Sequence, residues 1–235
     1  MRKPALYLLF LLSTLSGFSQ DSIWLARTKG PLPFLEYGIG DDRLGGAKMG
    51  FLDSSILLKI VDSFNTDYKV RLSTLHYGYI AKNSVELLGK ESNLPVPHNS
   101  HLTGAIRVYG DSASDYVALT LDDRYPYRSM QLLDPSRVIV DVFGVTSNTN
   151  WISQLNTAKE IRNTWYEQIE DDVFRIHIQL KHRQHWGYAL SYDSTGRHLV
   201  IRIRRQPAVL DIRKLRIAID AGHGGDNLGA HGGVS

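Results

Sequence analysis

The chain has 235 residues, 43% hydrophobic and 22% charged, with no cysteine and a formal net charge of +3. That mix is ordinary for a folded protein, and the lack of Cys excludes disulfides and a lipid-modified N-terminal Cys. Two of the positive charges, Arg2 and Lys3, lie in a segment read as removable, so the mature chain carries only +1; this gives no basis for nucleic-acid binding, which needs a clustered basic face.

Arg2 and Lys3 precede an apolar run from Ala5 to Leu15, followed by Ser16-Gly17-Phe18-Ser19. A charged start, a short apolar centre and small residues at Gly17 and Ser19 predict a secretory signal peptide over residues 1–19, cut after Ser19. The run is shorter than the ~20 apolar residues that a membrane helix needs, so no transmembrane span is expected after cleavage. An export signal on a cysteine-free chain suits a bacterial envelope protein, secreted or periplasmic.

Residues 23–90 read as short strands and turns. Ile56–Val61 and Tyr68–Leu72 flank a polar hairpin loop at Asp62–Asp67, and Tyr77–Ile80 follows after another turn. This order, closing on Tyr77-Gly78-Tyr79-Ile80-Ala81-Lys82-Asn83-Ser84-Val85, resembles a bacterial SH3-like domain. Such modules bind cell-wall peptides or position an enzyme. Tyr68, Tyr77 and Tyr79 are read either as barrel core and rim or as ligand contacts.

Pro95–Ser100, with two prolines among polar neighbours, reads as a linker. Residues 100–208 then supply further strands: Tyr116–Leu121, Arg137–Val142, Val173–Leu180 and Leu199–Arg204. In the third, Phe174, Ile176, Ile178 and Leu180 share one face and should meet a core, while Val173, Arg175, His177 and Gln179 share the other. Strands at this density with few helical patterns predict a β-sandwich. In strand order and position the layout resembles the AMIN domains that precede cell-wall amidases and target them to the envelope.

Several polar clusters in this region are less specific. Lys181-His182-Arg183-Gln184-His185-Trp186 offers two imidazoles but no third metal ligand nearby. It is read first as a solvated turn; the alternative is a glycan surface, with Trp186 and Tyr188 stacking on sugars and Arg183 meeting a carboxylate. Asp111 and Asp115 fit a turn and match no complete EF-hand loop. No His-Glu-x-x-His or Gly-x-Ser-x-Gly occurs.

The sharpest motif spans residues 213–235. Leu215, Ile217 and Ile219 alternate with Arg216, Ala218 and Asp220, the period of a strand. The strand runs into Ala221-Gly222-His223-Gly224-Gly225, where the glycines permit a sharp turn and close approach. No Lys-Ser/Thr follows as in a phosphate-binding loop, and Asn227 stands where a dinucleotide fingerprint starting at Gly222 needs Gly. A neutral imidazole at a strand end is a common zinc ligand.

Residues Ile219–Gly225, with Gly229-Ala230, resemble the start of the zinc-dependent N-acetylmuramoyl-L-alanine amidases of the Amidase_3 family; Ala221 replaces that family's usual Pro. The resemblance implies Zn2+ as cofactor and His223 as its first ligand, with a Glu, a second His and a catalytic Glu expected beyond Ser235. No catalytic residue is assigned within the chain, and one His cannot hold a catalytic zinc, which takes three protein ligands plus water.

The fold class expected is thus mainly β: an SH3-like barrel, an AMIN-like β-sandwich and the first strand of a truncated α/β amidase domain. The expected function is that of a peptidoglycan hydrolase inactive as this fragment alone. Peptidoglycan is the expected partner, with room for an envelope activator protein. The alternative is a non-catalytic envelope protein that binds wall or a partner.

Overall fold

A computed structural model describes residues 23–39, 46–91 and 101–217. The expected signal peptide, the linker prolines and His223 with its glycines lie outside the described residues. What is described is mainly β, in three sheets with no long helix.

The first sheet contains β1 (Trp24–Thr28), β2 (Phe34–Glu36), β3 (Lys48–Phe51), β4 (Leu57–Ser63), β5 (Asp67–Arg71), β6 (Tyr77–Ala81) and β7 (Val85–Lys90). Its order is β3-β2-β6-β5-β4-β1-β7, every pairing antiparallel. A 3-10 turn at Lys82–Ser84 separates β6 from β7. Ala26, Leu35, Leu52, Ile56, Leu58, Ile60, Val70 and Ile80 are buried and fill its interior. The strands legible in the sequence, Ile56–Val61, Tyr68–Leu72 and Tyr77–Ile80, correspond to β4, β5 and β6, displaced by a residue or two.

The remaining strands form a sandwich. One sheet has β10 (Tyr127–Leu133), β11 (Ser136–Phe143), β14 (Val173–Leu180) and β13 (Ile161–Glu170) in that order. The other runs β12-β8-β9-β16-β15, with β8 at Ile106–Gly110, β9 at Ser114–Thr120, β12 at Ile152–Gln154, β15 at Tyr188–Tyr192 and β16 at His198–Arg204. Among the described strands, only β12 pairs parallel, with β8.

Phe174, Ile176 and Ile178 are fully buried and Leu180 nearly so, as the alternation required. The opposite face of β14 departs from expectation: Val173 and His177 are buried too. Long neighbours cover that face. Trp165 stacks flat on His177 at 4.8 Å, with Arg137 5.5 Å above the indole. Phe143, the register partner of Val173, meets His76 of the barrel. The near-continuous run of β11 has the same cause: Val138, Val140 and Val142 face the core, while Asp141 and Phe143 on the other side are also buried.

Barrel and sandwich are docked rather than strung apart. Arg27 donates to both carboxylate oxygens of Asp123, at 3.0 and 2.8 Å. The Leu57 amide donates to the Arg124 carbonyl at 2.8 Å, Arg124 Nη1 to the Ser54 carbonyl at 2.9 Å, and the Tyr192 amide to Asp53. Across the same seam Thr74 donates its amide to Asp172 at 2.8 Å, and His76 lies 3.3 Å from Glu170. The barrel therefore sits on one end of the sandwich, formed by the loop after β9, the β13–β14 turn and the tip after β15. Burial pushes up the pKa of the Tyr192 and Tyr125 hydroxyls there, keeping both as donors.

Candidate binding groove

Strand β16 alternates: Leu199, Ile201 and Ile203 point into the core, and Arg202 and Arg204 point out. In register, Arg202 stands opposite Tyr116 of β9 and Ala189 of β15, and Arg204 opposite Ser114. The strand ends at Arg204 beside the β8–β9 turn, and there a groove of about 380 Å³ opens, lined by Ala113, Ser114, Trp186, Gly187, Tyr188, Arg202 and Arg204.

Local chemistry fixes each wall of this groove. Gly187 adopts φ +104, a conformation that side chains disfavour, and its carbonyl accepts the Arg204 amide at 2.9 Å. That turn delivers Trp186 to the rim and Tyr188 to the sheet. The Tyr188 hydroxyl reaches inward to Ser129 Oγ at 3.1 Å, so the ring spans the two sheets. Trp186 is half-buried, and its indole N–H has no partner among the described residues.

Opposite, Asp111 closes the β8–β9 turn by accepting the Ala113 and Ser114 amides at 2.7 and 2.8 Å and the Tyr116 hydroxyl at 2.6 Å. The Tyr116 bond, followed by the two amides, lowers its pKa to about 2. Its charge is spent on its own turn. Tyr116 in turn stacks on Tyr109 at 5.1 Å, and the Arg107 guanidinium lies 5.6 Å from the Tyr109 ring centre. The exposed face beside the groove is therefore basic and aromatic. Among the described residues, none of Arg107, Arg202 and Arg204 is in an ion pair.

Beneath this face Asp115 joins the sheets. It is fully buried, and its Oδ2 accepts the amides of Lys159, Glu160 and Ile161 at 2.8, 2.6 and 2.9 Å. Its Oδ1 accepts Arg205 Nε at 2.7 Å. The reading of Asp115 as a turn residue is corrected: it belongs to β9 and stitches that strand to the start of β13.

The other residues singled out in the sequence are dispersed. His182 Nδ1 lies 2.6 Å from Glu160 Oε2, and His185 Nε2 lies 2.9 Å from Ser136 Oγ, so both imidazoles tether their loop. Among the described residues no group of three metal-ligating side chains occurs. Arg183 is exposed and does not line the groove; Arg202 and Arg204 take the place expected of it. The alternation of Leu199–Arg204 carried that signal, since two arginines at i and i+2 must share the solvent face.

In the barrel, Tyr68 packs partly on the core with Lys82 5.2 Å from its ring. Tyr79 lies against Phe64 at 5.8 Å, and Tyr77 is exposed with Lys69 4.7 Å over it. No helix among the described residues is long and apolar enough to cross a membrane. No curated protein matches the chain. Residues 105–203, which run from the edge of β8 to the penultimate residue of β16 and include every groove residue but Arg204, match the AMIN domain, a domain of periplasmic, peptidoglycan-associated proteins such as amidases.

Proposed function

We propose that this chain is the wall-binding part of an exported peptidoglycan amidase, with its contact to the wall at the Arg202–Arg204 groove. The observation that carries this reading is the AMIN match over 105–203 with the Ile219–Gly225 motif only 16 residues further on. The groove supports it as well, since a basic cleft suits an anionic polymer.

In the amidase reading, His223 supplies one zinc ligand, and the remaining ligands come from outside these 235 residues. The donor chemistry suits the metal, as neutral imidazole is a preferred zinc ligand. Bound there, zinc would provide a water acidic enough to attack at neutral pH and would polarise the amide between N-acetylmuramic acid and the L-Ala of the stem. The residues in hand would hold the wall and present it; the groove contributes binding and orientation rather than bond cleavage.

The test uses the longest natural product of the reading frame on purified peptidoglycan. Release of stem peptides, abolished by chelator and by His223→Ala with wall binding intact, is the expected result. Wall binding with no release in any condition would replace this reading by that of a non-catalytic envelope protein. Absence of both binding and release would sink both.

A further inference from the structure

Resting on the wall-binding reading, we propose that the groove recognises the free carboxylates of the peptide stems, not the sugars of the glycan strand. Peptidoglycan offers two chemically distinct surfaces. Its glycan is a chain of N-acetylated sugars, neutral wherever the muramic carboxyl is amide-linked to a stem. Its stems end in carboxylates.

Sugar recognition calls for an exposed aromatic face. The groove presents none of the right kind: Trp186 is half-buried, and Tyr188 turns inward with its hydroxyl on Ser129. What it does present is two exposed guanidinium groups on one strand, without an ion-pair partner among the described residues. Their i, i+2 spacing puts them roughly 6.6 Å apart along the strand, a span that two carboxylates of one short peptide can bridge. Arginine holds a carboxylate through two parallel bonds, which fixes orientation as well as charge.

The neighbouring groups leave these two arginines available. Asp111 is the carboxylate of the adjoining turn, and its oxygens already accept Tyr116, Ala113 and Ser114. Asp115 lies on the other face of β9, buried against Arg205. Arg107, two residues before Tyr109 on β8, adds a third positive charge across the face and sets the direction in which a longer stem would lie.

The experiment compares the full chain with the variant Arg202→Gln/Arg204→Gln, in which both side chains are exposed and the core is untouched. Three walls are offered in a sedimentation assay: intact peptidoglycan, the same wall with its carboxylates converted to amides, and glycan strands stripped of stems. A synthetic stem tetrapeptide and its fully amidated form are titrated alongside. The expected result is binding to intact wall and to the acid tetrapeptide, weakened at least about tenfold by either the double substitution or amidation. Arg202→Lys/Arg204→Lys should fall between, since it keeps charge without the planar fork.

Equal binding to stripped glycan, or an unchanged Arg202→Gln/Arg204→Gln variant, would overturn the proposal while leaving wall binding standing. Binding of the acid tetrapeptide without binding of intact wall would do the reverse. Equal affinity for an unrelated polyanion such as dextran sulfate would reduce the groove to a generic cationic surface and overturn it as well.

Discussion

Replacing Asp115 by Ala tests the account of how the sandwich is held together. The carboxylate accepts four bonds: three from consecutive amides at 159–161 and one from the guanidinium of Arg205, which also donates to the Thr157 carbonyl. Alanine leaves the three amides without this acceptor, two of them on buried residues, Glu160 and Ile161. An orphaned buried donor costs about 1–3 kcal/mol. Taking the low end for each amide, with about 1–2 kcal/mol for the lost bond to Arg205, gives about 4–5 kcal/mol. That agrees with the roughly 3–5 kcal/mol seen when one partner of a buried pair is removed.

A domain stable by about 5–15 kcal/mol then keeps little margin. Urea unfolding followed by tryptophan fluorescence measures the loss, and Asp115→Asn separates its parts. The amide retains one acceptor for the backbone donors but turns an NH2 towards Arg205, so about half the loss is expected. A drop of less than about 1 kcal/mol in Asp115→Ala would refute the reasoning, because water or a shifted neighbour would then be satisfying all four donors.

Three further outcomes follow from particular contacts. Gly110→Ala should destabilise by about 2 kcal/mol or more, measured by the same unfolding curve, since its Cβ would lie 2.1 Å from Arg205 Nη2 and 2.6 Å from both Asp115 Oδ1 and the Thr157 carbonyl. Arg27→Ala removes a two-bonded contact between barrel and sandwich; with side-chain exposures of 34% and 18% the pair is worth only about 1 kcal/mol. Calorimetry should show one transition for both modules, moved down as a unit, and two separated transitions would contradict the docking. Burial alone would raise the pKa of Asp141, but its bonds to Arg175 and Arg128 outweigh that and hold the carboxyl below the ordinary range. A depressed folded pKa means that its stabilisation is complete above the unfolded value of about 3.9 and is lost as pH falls through the lower one. Asp141→Asn should therefore be less stable at pH 7 and lose less than the parent between pH 5 and the acid limit, as read by circular dichroism in fixed urea.

How much of this was legible beforehand depends on what sets each strand. β4, β5, β6, β9, β11, β14 and β16 carry alternating or continuous apolar runs, and their positions follow from the one face, or two, that they bury. β13 (Ile161–Glu170) does not announce itself, because an edge strand packs on one neighbour and tolerates Arg162, Asn163, Glu167 and Gln168 on exposed positions. The three residues of β2 and of β12 are too few for any period to emerge. The groove was half legible: Trp186 and Tyr188 drew notice as aromatics beside a basic run. Arg202 and Arg204 did not, because each is an unremarkable outward residue until β9 and β15 are laid alongside. Asp115 was misread for a related reason. Gly-Asp-Ser-Ala-Ser-Asp has the composition of a turn throughout, and only its pairing with 159–161, more than 40 positions away, draws the last Asp inside.

The placement of the groove gives the two modules different tasks. Strands β9 and β16 are each seven residues long and pair from Thr120–His198 to Ser114–Arg204, a run of about 20 Å. The barrel is fixed at the first end and the groove opens at the second, so the barrel cannot reach over to share a ligand in the groove. The chain itself leaves from the groove end. Arg205 is pinned by Asp115 and by the Thr157 carbonyl at 2.7 Å, so whatever follows starts from a fixed point beside the groove. Val209, Leu210, Ile212 and Ile217 then pass with more than half of each surface exposed. On the proposed reading, the 14 residues from Arg205 to Ile219, at most about 50 Å long, would keep a catalytic domain beginning there within reach of stems bound at the arginines. Asp115 thus serves the fold and, on that reading, the geometry of delivery: loosening it frees both the strand that carries the groove and the point from which the chain departs.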